Sequence, residues 1–277
     1  MQKNNHPIGI FDSGYGGLTI LKSIADQLPQ LDYIYLGDNA RTPYGSRSFD
    51  VVYEYTRQAV MKLFSMGCQL VILACNTASA KALRSIQQND LPSFDPSLRV
   101  LGVIRPSVER ITQFTKTGHV GILGTTGTVN SGSYPLEIAK ISCNQIIVRQ
   151  EACPMWVPLV ENDETSNPAA DYFVNKNISN LFQQDPEIDT VILGCTHYPL
   201  LLPAILKFLP PNITLIEQGP IVAESLANYL FRHPEIEQNC SKGSSVSFLT
   251  TESVEIFKSH AGAYFGKPIS AEKITLA

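Results

Sequence analysis

The segment "VILACNTASA" (Val71–Ala80) places a single cysteine between an apolar run and a cluster of small polar residues. A second segment, "VILGCTHYPL" (Val191–Leu200), repeats this arrangement around another cysteine. Each apolar run is typical of a strand buried inside a sheet, and each polar cluster can cap a helix that follows. Two strand-to-helix turns of one design indicate an α/β fold with two related halves.

Similar apolar runs, bounded by glycine and polar residues, recur along the whole chain. Stretches of helical period separate them, such as the one formed by Leu18, Leu21, Ile24 and Leu28. Alternating strands and helices are typical of parallel sheets wrapped by helices, so the sequence predicts the α/β class. The predicted strands cover residues 8–11, 33–36, 70–74, 100–104, 120–123, 145–148, 190–193, 213–216 and 246–249.

A coarse internal repeat supports the two-part organisation. The stretch "IGIFDSGYGG" from Ile8 resembles "VGILGTTGTV" from Val120, and "YIYLGD" from Tyr33 falls opposite "QIIVRQ" from Gln145 at the same spacing. The two cysteine segments are slightly further apart, which places an insertion in the second half, around residues 158–171. Because three matches occur in one order, duplication of an α/β unit explains them better than chance similarity does.

The composition is that of an ordinary globular protein. At 277 residues the chain is long enough for about two domains, and its formal net charge of −4 argues against a large nucleic-acid interface. No apolar run approaches the roughly 20 residues of a membrane span, and the first residues lack the apolar core of a signal peptide. We therefore expect a cytoplasmic protein with free cysteines and a small-molecule partner, without nucleic-acid or membrane binding.

Polar side chains follow the carboxyl ends of the predicted strands. Ligands of open parallel sheets bind at this edge, so we expect these side chains on one rim. If the two units face each other, their cysteines can approach one cleft from opposite sides. The residues in question are Asp12, Ser13, Asp38, Cys75, Asn76, Thr77, Thr125, Thr126, Thr128, Cys195, Thr196 and His197.

Two cysteines at matching positions suit a reaction that is itself nearly symmetrical. A thiol at the start of a helix can have its pKa lowered from about 8.5 towards neutrality, so it can accept a proton as thiolate and donate one as thiol. Inverting a stereocentre needs such a group on each face of the carbon, one to remove the α-proton and one to return a proton. His197 and Asp12 can assist, and the glycine-rich turns can hold a carboxylate.

Other interpretations fit parts of this pattern. One activated cysteine suits a hydrolase or amide-transferring enzyme with a covalent acyl intermediate. The glycine-rich turns alone suit a module that binds an anion without turnover, although "DSGYGG" (Asp12–Gly17) matches neither the P-loop nor the G-x-G-x-x-G pattern. Cys195 and His197 form a lone C-x-H, which is poor zinc spacing, so no metal site is predicted. Cys68, Cys143, Cys153 and Cys240 are assigned to packing or surface.

Six motifs in one order resemble a known family, the bacterial glutamate racemases of the cofactor-independent aspartate/glutamate racemase superfamily. The combination of D-S-G-x-G-G, C-N-T-A-S and G-C-T-H-Y-P is far more specific than any one piece, and the resemblance covers nearly the whole chain. The motifs are "GIFDSGYGGL" (Gly9–Leu18), "YLGDNARTPYG" (Tyr35–Gly45), "LACNTASA" (Leu73–Ala80), "GILGTTGTVNSGSY" (Gly121–Tyr134), "CPMWVPLVE" (Cys153–Glu161) and "GCTHYPLL" (Gly194–Leu201).

The resemblance implies two α/β domains related by pseudo-twofold symmetry, with the active site in the cleft between them. The C-terminal segment completes the first domain, so the expected division is residues 1–100 plus 213–277 and residues 101–212. It also implies two-base racemisation of glutamate without pyridoxal phosphate, metal or any other cofactor. An aspartate racemase or another cofactor-independent amino-acid racemase is the nearest alternative, because one methylene group is worth only about 1–3 kcal/mol.

The resemblance also implies roles for individual residues. Cys75 resembles the base that acts on D-glutamate and Cys195 the base that acts on L-glutamate, with Asp12 and His197 as assisting groups. The family's role implies a cytoplasmic homodimer that supplies D-glutamate for peptidoglycan. Substrate contacts are expected from Asp12, Ser13, Tyr44, Gly45, Asn76, Thr77, Thr196 and His197, with Asp38, Thr125, Thr126, Thr128 and Glu161 as further candidates.

Three departures from the family pattern lie away from the two cysteines. Tyr15 stands where a small aliphatic residue is commoner, and Arg105 occupies a variable position near the domain crossover. The turn "LIEQGP" (Leu215–Pro220) replaces a more usual aspartate-containing turn. These departures concern regulation, dimer geometry or loop packing rather than the chemistry.

Overall fold

A computed structural model of the chain describes residues 6–143 and 145–276. Its strands form two sheets, one of six strands and one of four, and every strand pair is parallel. Helices follow the strands, so the predicted α/β class with two parallel sheets is confirmed.

Each of the nine predicted strands overlaps an observed strand, and a two-residue strand near the C-terminus was not predicted. The strands are β1 (Ile8–Asp12), β2 (Tyr33–Gly37), β3 (Leu70–Leu73), β4 (Arg99–Gly102), β5 (His119–Gly124), β6 (Ile147–Ala152), β7 (Thr190–Gly194), β8 (Thr214–Ile216), β9 (Val246–Thr250) and β10 (Glu272–Lys273).

Fifteen α-helices, several of them short, occur in the described part of the chain. They are α1 (Gly17–Gln27), α2 (Phe49–Ser65), α3 (Asn76–Lys81), α4 (Leu83–Ser85), α5 (Leu91–Phe94), α6 (Ile104–Glu109), α7 (Ile111–Phe114), α8 (Thr126–Ser131), α9 (Ser133–Ser142), α10 (Trp156–Glu161), α11 (Pro168–Gln184), α12 (Leu202–Phe208), α13 (Gln218–Arg232), α14 (Pro234–Glu237) and α15 (Val254–Phe265). Among the described residues, none of these helices has both the length and the apolar character needed to cross a bilayer.

The two sheets share one strand order. The four-stranded sheet runs β6-β5-β7-β8, and the corresponding strands of the six-stranded sheet run β2-β1-β3-β4, with β9 and β10 added beyond β2. This order agrees with the internal repeat of the sequence, in which β1 corresponds to β5 and β3 to β7. Every residue of β1 and β7 is buried, as expected for central strands covered on both faces.

Helices also join the two units. Helix α3, which follows β3 of the six-stranded sheet, packs against α8, which follows β5 of the four-stranded sheet. Local signals position the longer helices: the Ser48 hydroxyl accepts the Val51 N–H at the start of α2, and the Asn167 side chain accepts two N–H groups at the start of α11. Pro168 then occupies the first turn of α11, where its missing N–H costs nothing.

Strand pairing shows where the chain passes between the sheets. The boundary predicted at 100/101 falls within β4, which pairs with β3 of the six-stranded sheet. The boundary predicted at 212/213 precedes β8, which pairs with β7 of the four-stranded sheet. The crossings therefore lie after Gly102 and after Ile216. The division into two domains stays a prediction, and its outer limits at 1 and 277 lie outside the described residues.

Candidate active site

A cavity of about 180 Å³ lies between the carboxyl-end rims of the two sheets, and both paired cysteines line it. Cys75 follows β3 of the six-stranded sheet, and Cys195 follows β7 of the four-stranded sheet. Each cysteine is only 6% exposed. The two thiols therefore reach one small enclosed space from different halves of the chain.

Most residues singled out in the sequence reach this cavity. Those that line it are Ser13, Tyr44, Gly45, Cys75, Asn76, Thr77, Thr125, Thr126, Cys195, Thr196 and His197. The others lie behind the wall, each hydrogen-bonded to a residue that lines it. Asp12 bonds to Thr196, Asp38 to Tyr44, Thr128 to Thr77, and Glu161 to His197.

Several wall residues were not predicted, and Cys153 among them had been assigned to packing or surface. They are Thr42, Pro43, Ser46, Cys153, Pro154, Val157 and Pro158. All but Ser46 lie inside the family motifs "YLGDNARTPYG" and "CPMWVPLVE", which was the available signal. Cys153 is 1% exposed, and burial raises the pKa of its thiol well above the usual range. It forms part of the wall as a neutral thiol.

Cys75 caps its own helix. Its Sγ accepts the Ala78 N–H at 3.5 Å and lies 3.5 Å from Ser13 Oγ. Asn76 is the first residue of α3 rather than its cap, contrary to the expectation that one of the polar residues after the cysteine caps this helix. Cys75 Sγ is therefore held by the first turn of α3.

The prediction of a lowered pKa for Cys75 is wrong. Burial raises the pKa of this thiol to about 12, and the negative charge of Asp12 adds to the effect. Hydrogen bonds from Ser13 and the Ala78 N–H act in the opposite direction but do not offset the loss of water. A thiol with this pKa keeps its proton at neutral pH, so Cys75 can offer a proton to a group bound in this cavity.

Cys195 has a different neighbour. Its Sγ lies 3.9 Å from His197 Nδ1, and His197 Nε2 lies 3.0 Å from Glu161 Oε1. Burial lowers the pKa of His197, but the hydrogen bonds to Cys195 and Glu161 outweigh burial and raise it to about 10. The imidazole is thus positively charged at neutral pH, and it can exchange a proton with the sulfur beside it.

Asp12 connects the first unit to the Cys195 loop. It is fully buried at the end of β1, where Oδ1 accepts the Gly14 N–H at 2.9 Å and Oδ2 accepts the Thr196 hydroxyl at 3.5 Å. Burial raises the pKa of this carboxyl group, and the nearby His197 charge acts against that shift. Asp12 is therefore a buried carboxylate that can pair with a cationic group of a ligand.

Three threonine hydroxyls form a cluster, of which Thr77 and Thr125 line the cavity and Thr128 lies behind them. Thr77 Oγ1 lies 3.0 Å from Thr125 Oγ1 and 3.5 Å from Thr128 Oγ1. Thr125 also caps α8 by accepting the Thr128 N–H at 3.2 Å, and the Gly127 N–H donates to Gly45 O at 2.7 Å. Hydroxyl groups grouped in this way can donate hydrogen bonds to a carboxylate.

Asp38 holds the tyrosine of the wall instead of facing the cavity. The Tyr44 hydroxyl donates to Asp38 Oδ2 at 2.5 Å, and Arg41 pairs with the same oxygen at 2.6 Å. The Thr251 hydroxyl donates to the other carboxylate oxygen at 2.9 Å. Burial and the Asp38 charge raise the pKa of Tyr44 well above its usual range, so this hydroxyl stays neutral.

The contacts of Tyr15 and Arg105, two of the three departures from the family pattern, show what each residue does. Tyr15 stacks on Phe257 at 5.5 Å and on Tyr264 at 5.7 Å between ring centroids. Arg105 forms an exposed ion pair with Glu109 at 2.8 Å. The first is a packing residue near the site, and the second is a surface residue on α6.

The site can move protons on two sides of one bound molecule. Cys75 supplies a thiol from one unit, and the Cys195–His197 pair supplies a second thiol with a proton carrier from the other. Among the described residues, no three His, Cys, Asp or Glu side chains are grouped so as to hold a metal ion.

Comparison with known proteins shows one consistent likeness. The model of the Asp/Glu/hydantoin racemase family matches residues 8–226. A glutamate racemase from Bacillus cereus is 39% identical over 271 residues, covering 98% of this chain and 97% of the relative.

Solved structures give the same likeness. A glutamate racemase isoform from Bacillus anthracis superposes with a TM-score of 0.89 at 34% identity, covering 99% of this chain and 98% of that one. A glutamate racemase from Francisella tularensis in complex with D-glutamate has a TM-score of 0.87 at 31% identity, with 98% of both chains covered. An aspartate racemase from Picrophilus torridus, at 19% identity and a TM-score of 0.51, shares only the fold.

Proposed function

Because this chain belongs to the Asp/Glu/hydantoin racemase family, we propose that its two cysteines are the two bases of a glutamate racemase. Glutamate racemases match it over nearly its full length, and the chain is accordingly a glutamate racemase, an isomerase. The observation that carries the two-base assignment is that Cys75 and Cys195 line one cavity from different units.

The reaction is a proton removal and a proton return at the α-carbon. From L-glutamate, the Cys195 thiolate takes the α-proton, the electron pair stays on the α-carbon and its carboxylate, and the Cys75 thiol delivers its proton to the opposite face. The products are D-glutamate, a Cys75 thiolate and a Cys195 thiol, so atoms and charge balance. Starting from D-glutamate the two cysteines exchange roles.

The protonation of Cys75 and His197 supports Cys75 as the donor and Cys195 as the acceptor when L-glutamate is the substrate. A Cys75 thiol with a raised pKa is ready to donate, and His197 beside Cys195 can hold or return a proton. Asp12 and His197 are the assisting groups: the charge of Asp12 acts on Cys75, and His197 contacts Cys195 directly. The charge of His197 is in turn maintained by Glu161.

Binding groups for the amino acid surround the two thiols. We assign the carboxylates of glutamate to the hydroxyls of Ser13, Thr77 and Thr196, the Asn76 amide and the Gly45 turn, with Tyr44, Thr125 and Thr126 completing the wall. Asp38 and Thr128 act by holding Tyr44 and Thr77. We assign the ammonium group to the buried carboxylate of Asp12.

The test is racemisation without an added cofactor. Purified protein should remove the optical activity of L-glutamate, and in deuterated water it should place deuterium at the α-carbon; failure of both would refute the activity. Aspartate, assayed in parallel, should react far more slowly, and equal rates on the two acids would reassign the substrate.

Single cysteine variants test the mechanism. Cys75→Ala and Cys195→Ala should each lower the racemisation rate by at least about a thousandfold, because each removes the thiol that exchanges a proton with the α-carbon on one face. Cys240→Ala is the matched control, since this cysteine is also 6% exposed but does not line the cavity, and it should keep the wild-type rate. Substantial racemisation by either site variant would exclude two-base catalysis, and an acyl intermediate on one cysteine would indicate a hydrolase.

The wider setting follows from the family. We propose that the protein supplies D-glutamate for peptidoglycan, in the cytoplasm, without a cofactor and without a nucleic-acid or membrane partner. We also propose a homodimer, for which sedimentation equilibrium should return twice the 30.5 kDa mass of one chain. A mass of one chain at micromolar concentration would count against the dimer.

A further inference from the structure

The side-chain amide of Gln218 lies at the centre of a buried polar network. Its Nε2 lies 3.1 Å from Val103 O, 3.0 Å from Ser107 Oγ and 3.0 Å from the Tyr134 hydroxyl. Its Oε1 accepts a hydrogen bond from Asn76 Nδ2 at 2.5 Å. Asn76 Oδ1 in turn accepts the Tyr134 hydroxyl at 2.8 Å. The network reaches the cavity through Asn76 alone among these residues.

The carbonyl of Val103 decides the direction of these hydrogen bonds. A backbone carbonyl only accepts, so the amide nitrogen of Gln218 must face it and the amide oxygen must face Asn76. Asn76 must then turn its nitrogen towards Gln218 and its oxygen towards Tyr134. The Ser107 hydroxyl also donates to Val103 O, at 3.1 Å, which leaves its oxygen free to accept from Gln218. In this orientation each of these nitrogen and oxygen atoms has a partner, and the two N–H groups of Gln218 are shared among three acceptors.

Asn76 follows the proposed base Cys75 directly and lines the cavity. One N–H of its amide is donated to Gln218, and within residues 6–143 and 145–276 the other has no acceptor. That N–H is available to an oxygen of a bound amino acid. We propose that Gln218 is a positioning residue that holds the Asn76 amide in the orientation that binds substrate, an inference that rests on the proposed glutamate racemase site.

The place of Gln218 in the fold explains why this residue can set the site. It begins α13, just after the chain leaves the four-stranded sheet at Ile216, while Val103 follows β4, where the chain leaves the six-stranded sheet. One amide group therefore ties both crossings to the first turn of α3. The turn "LIEQGP" was expected to lie away from the chemistry, but through the Gln218–Asn76 hydrogen bond it is connected to a residue that lines the cavity.

The variant Gln218→Met tests the proposal, because it keeps the length of the side chain and removes its polar atoms. We expect KM for glutamate and Kd for D-glutamate to rise about tenfold, with a smaller change in kcat, since a lost buried hydrogen bond is worth about a factor of ten and Asn76 binds rather than carries a proton. In an Asn76→Ala background the same change should have no further effect. Gln87→Met is the control: its amide also holds a strand carbonyl, that of Val100, yet it does not line the cavity, and KM and Kd should be unchanged.

Two results overturn the proposal. One is a wild-type KM and Kd in Gln218→Met; the other is a tenfold effect that persists in the Asn76→Ala background. If Gln218→Met does not fold, Gln218→Asn decides, because it keeps a polar amide but shortens the side chain by one methylene group and so withdraws it from Asn76: the same rise supports positioning and wild-type values refute it. Wild-type protein that binds D-glutamate without racemising it would refute the proposed function, while the Kd comparison would still decide the role of Gln218.

Discussion

His197 lies between a sulfur and a carboxylate, and both partners favour its charged form. Burial alone would make the imidazole neutral, but the contacts with Cys195 and Glu161 raise its pKa to about 10. The side chain of His197 is only 5% exposed, so solvent screens these contacts little. A single histidine thus links the stability of the fold to the protonation of the site.

This link predicts a pH dependence of stability. The pKa of His197 rises from 6.5 in the unfolded chain to about 10 in the folded one, so its stabilising contribution is complete below pH 6.5 and is lost as the pH rises through 10. Between pH 6.5 and 8.5 the free energy of unfolding should fall by up to about 1.4 kcal/mol per pH unit.

Urea denaturation at pH 6.5, 7.5 and 8.5 measures this slope. His197→Gln should remove most of it, whereas His233→Gln, at a histidine whose side chain is 37% exposed, should leave it in place. Equal slopes in the wild type and in His197→Gln would show that groups other than His197 set the pH dependence of the free energy of unfolding.

At the scale of elements, the turn between β1 and α1 packs closely against the loop after β7. A Cβ atom at Gly16 would lie 2.5 Å from His197 Nδ1, and the Thr19 hydroxyl donates to Thr196 O at 3.2 Å. Real Cβ atoms do not approach that closely, so the glycine permits contact between the two units. The glycine-rich turn was interpreted in the sequence as an anion cradle, and this close approach is a second reason for glycine there.

The substitution Gly16→Ala should therefore displace His197. We expect a free energy of unfolding lower by about 1–3 kcal/mol and a racemisation rate reduced at least tenfold, because overpacking forces the imidazole out of line with Cys195. Gly262→Ala is the control: it lies inside α15, a Cβ there would meet nothing closer than 3.7 Å, and it should stabilise slightly while leaving the rate unchanged. Thermal melting and the optical assay check both, and a fully active Gly16→Ala enzyme would contradict the argument.

At the scale of the whole molecule, one cavity is built by two units. Cys75, Cys195, Thr77 and Thr125 all line it, so an amino acid bound there would contact loops of both sheets at once. A ligand held in this way stabilises both units together rather than either alone.

We therefore expect D-glutamate to raise the free energy of unfolding of the entire chain. At a concentration 100 times Kd the gain should be about 2.7 kcal/mol, seen by calorimetry as one transition that moves to higher temperature. The control is Asn76→Ala at the same D-glutamate concentration, which should show a smaller shift. Unfolding in two steps, with only one step moved by the ligand, would mean that the amino acid is bound by one unit.

The sequence by itself determined the fold class, nine of the ten strands and most of the polar residues that line the cavity. Central strands of parallel sheets, such as β1 and β7, are buried on both faces, so they appear in the sequence as unbroken apolar runs. Strand β10 was missed because its two residues are exposed and carry no such pattern. The carboxyl-end rule and the family motifs together identified Cys75, Cys195 and their polar neighbours, since these follow strands directly.

Only the tertiary structure decided how those residues behave. Glu161 pairs with His197 and Gln218 with Asn76 across large sequence separations, and nothing local marks either pair. The pKa of Cys75 shows the same limit: its place at a helix start predicts a lowered value, but burial beside Asp12 raises it to about 12. The burial of a side chain, its hydrogen-bond partners and its dielectric environment are set when the two units pack together. A pKa that depends on this packing cannot be predicted from one segment of the chain.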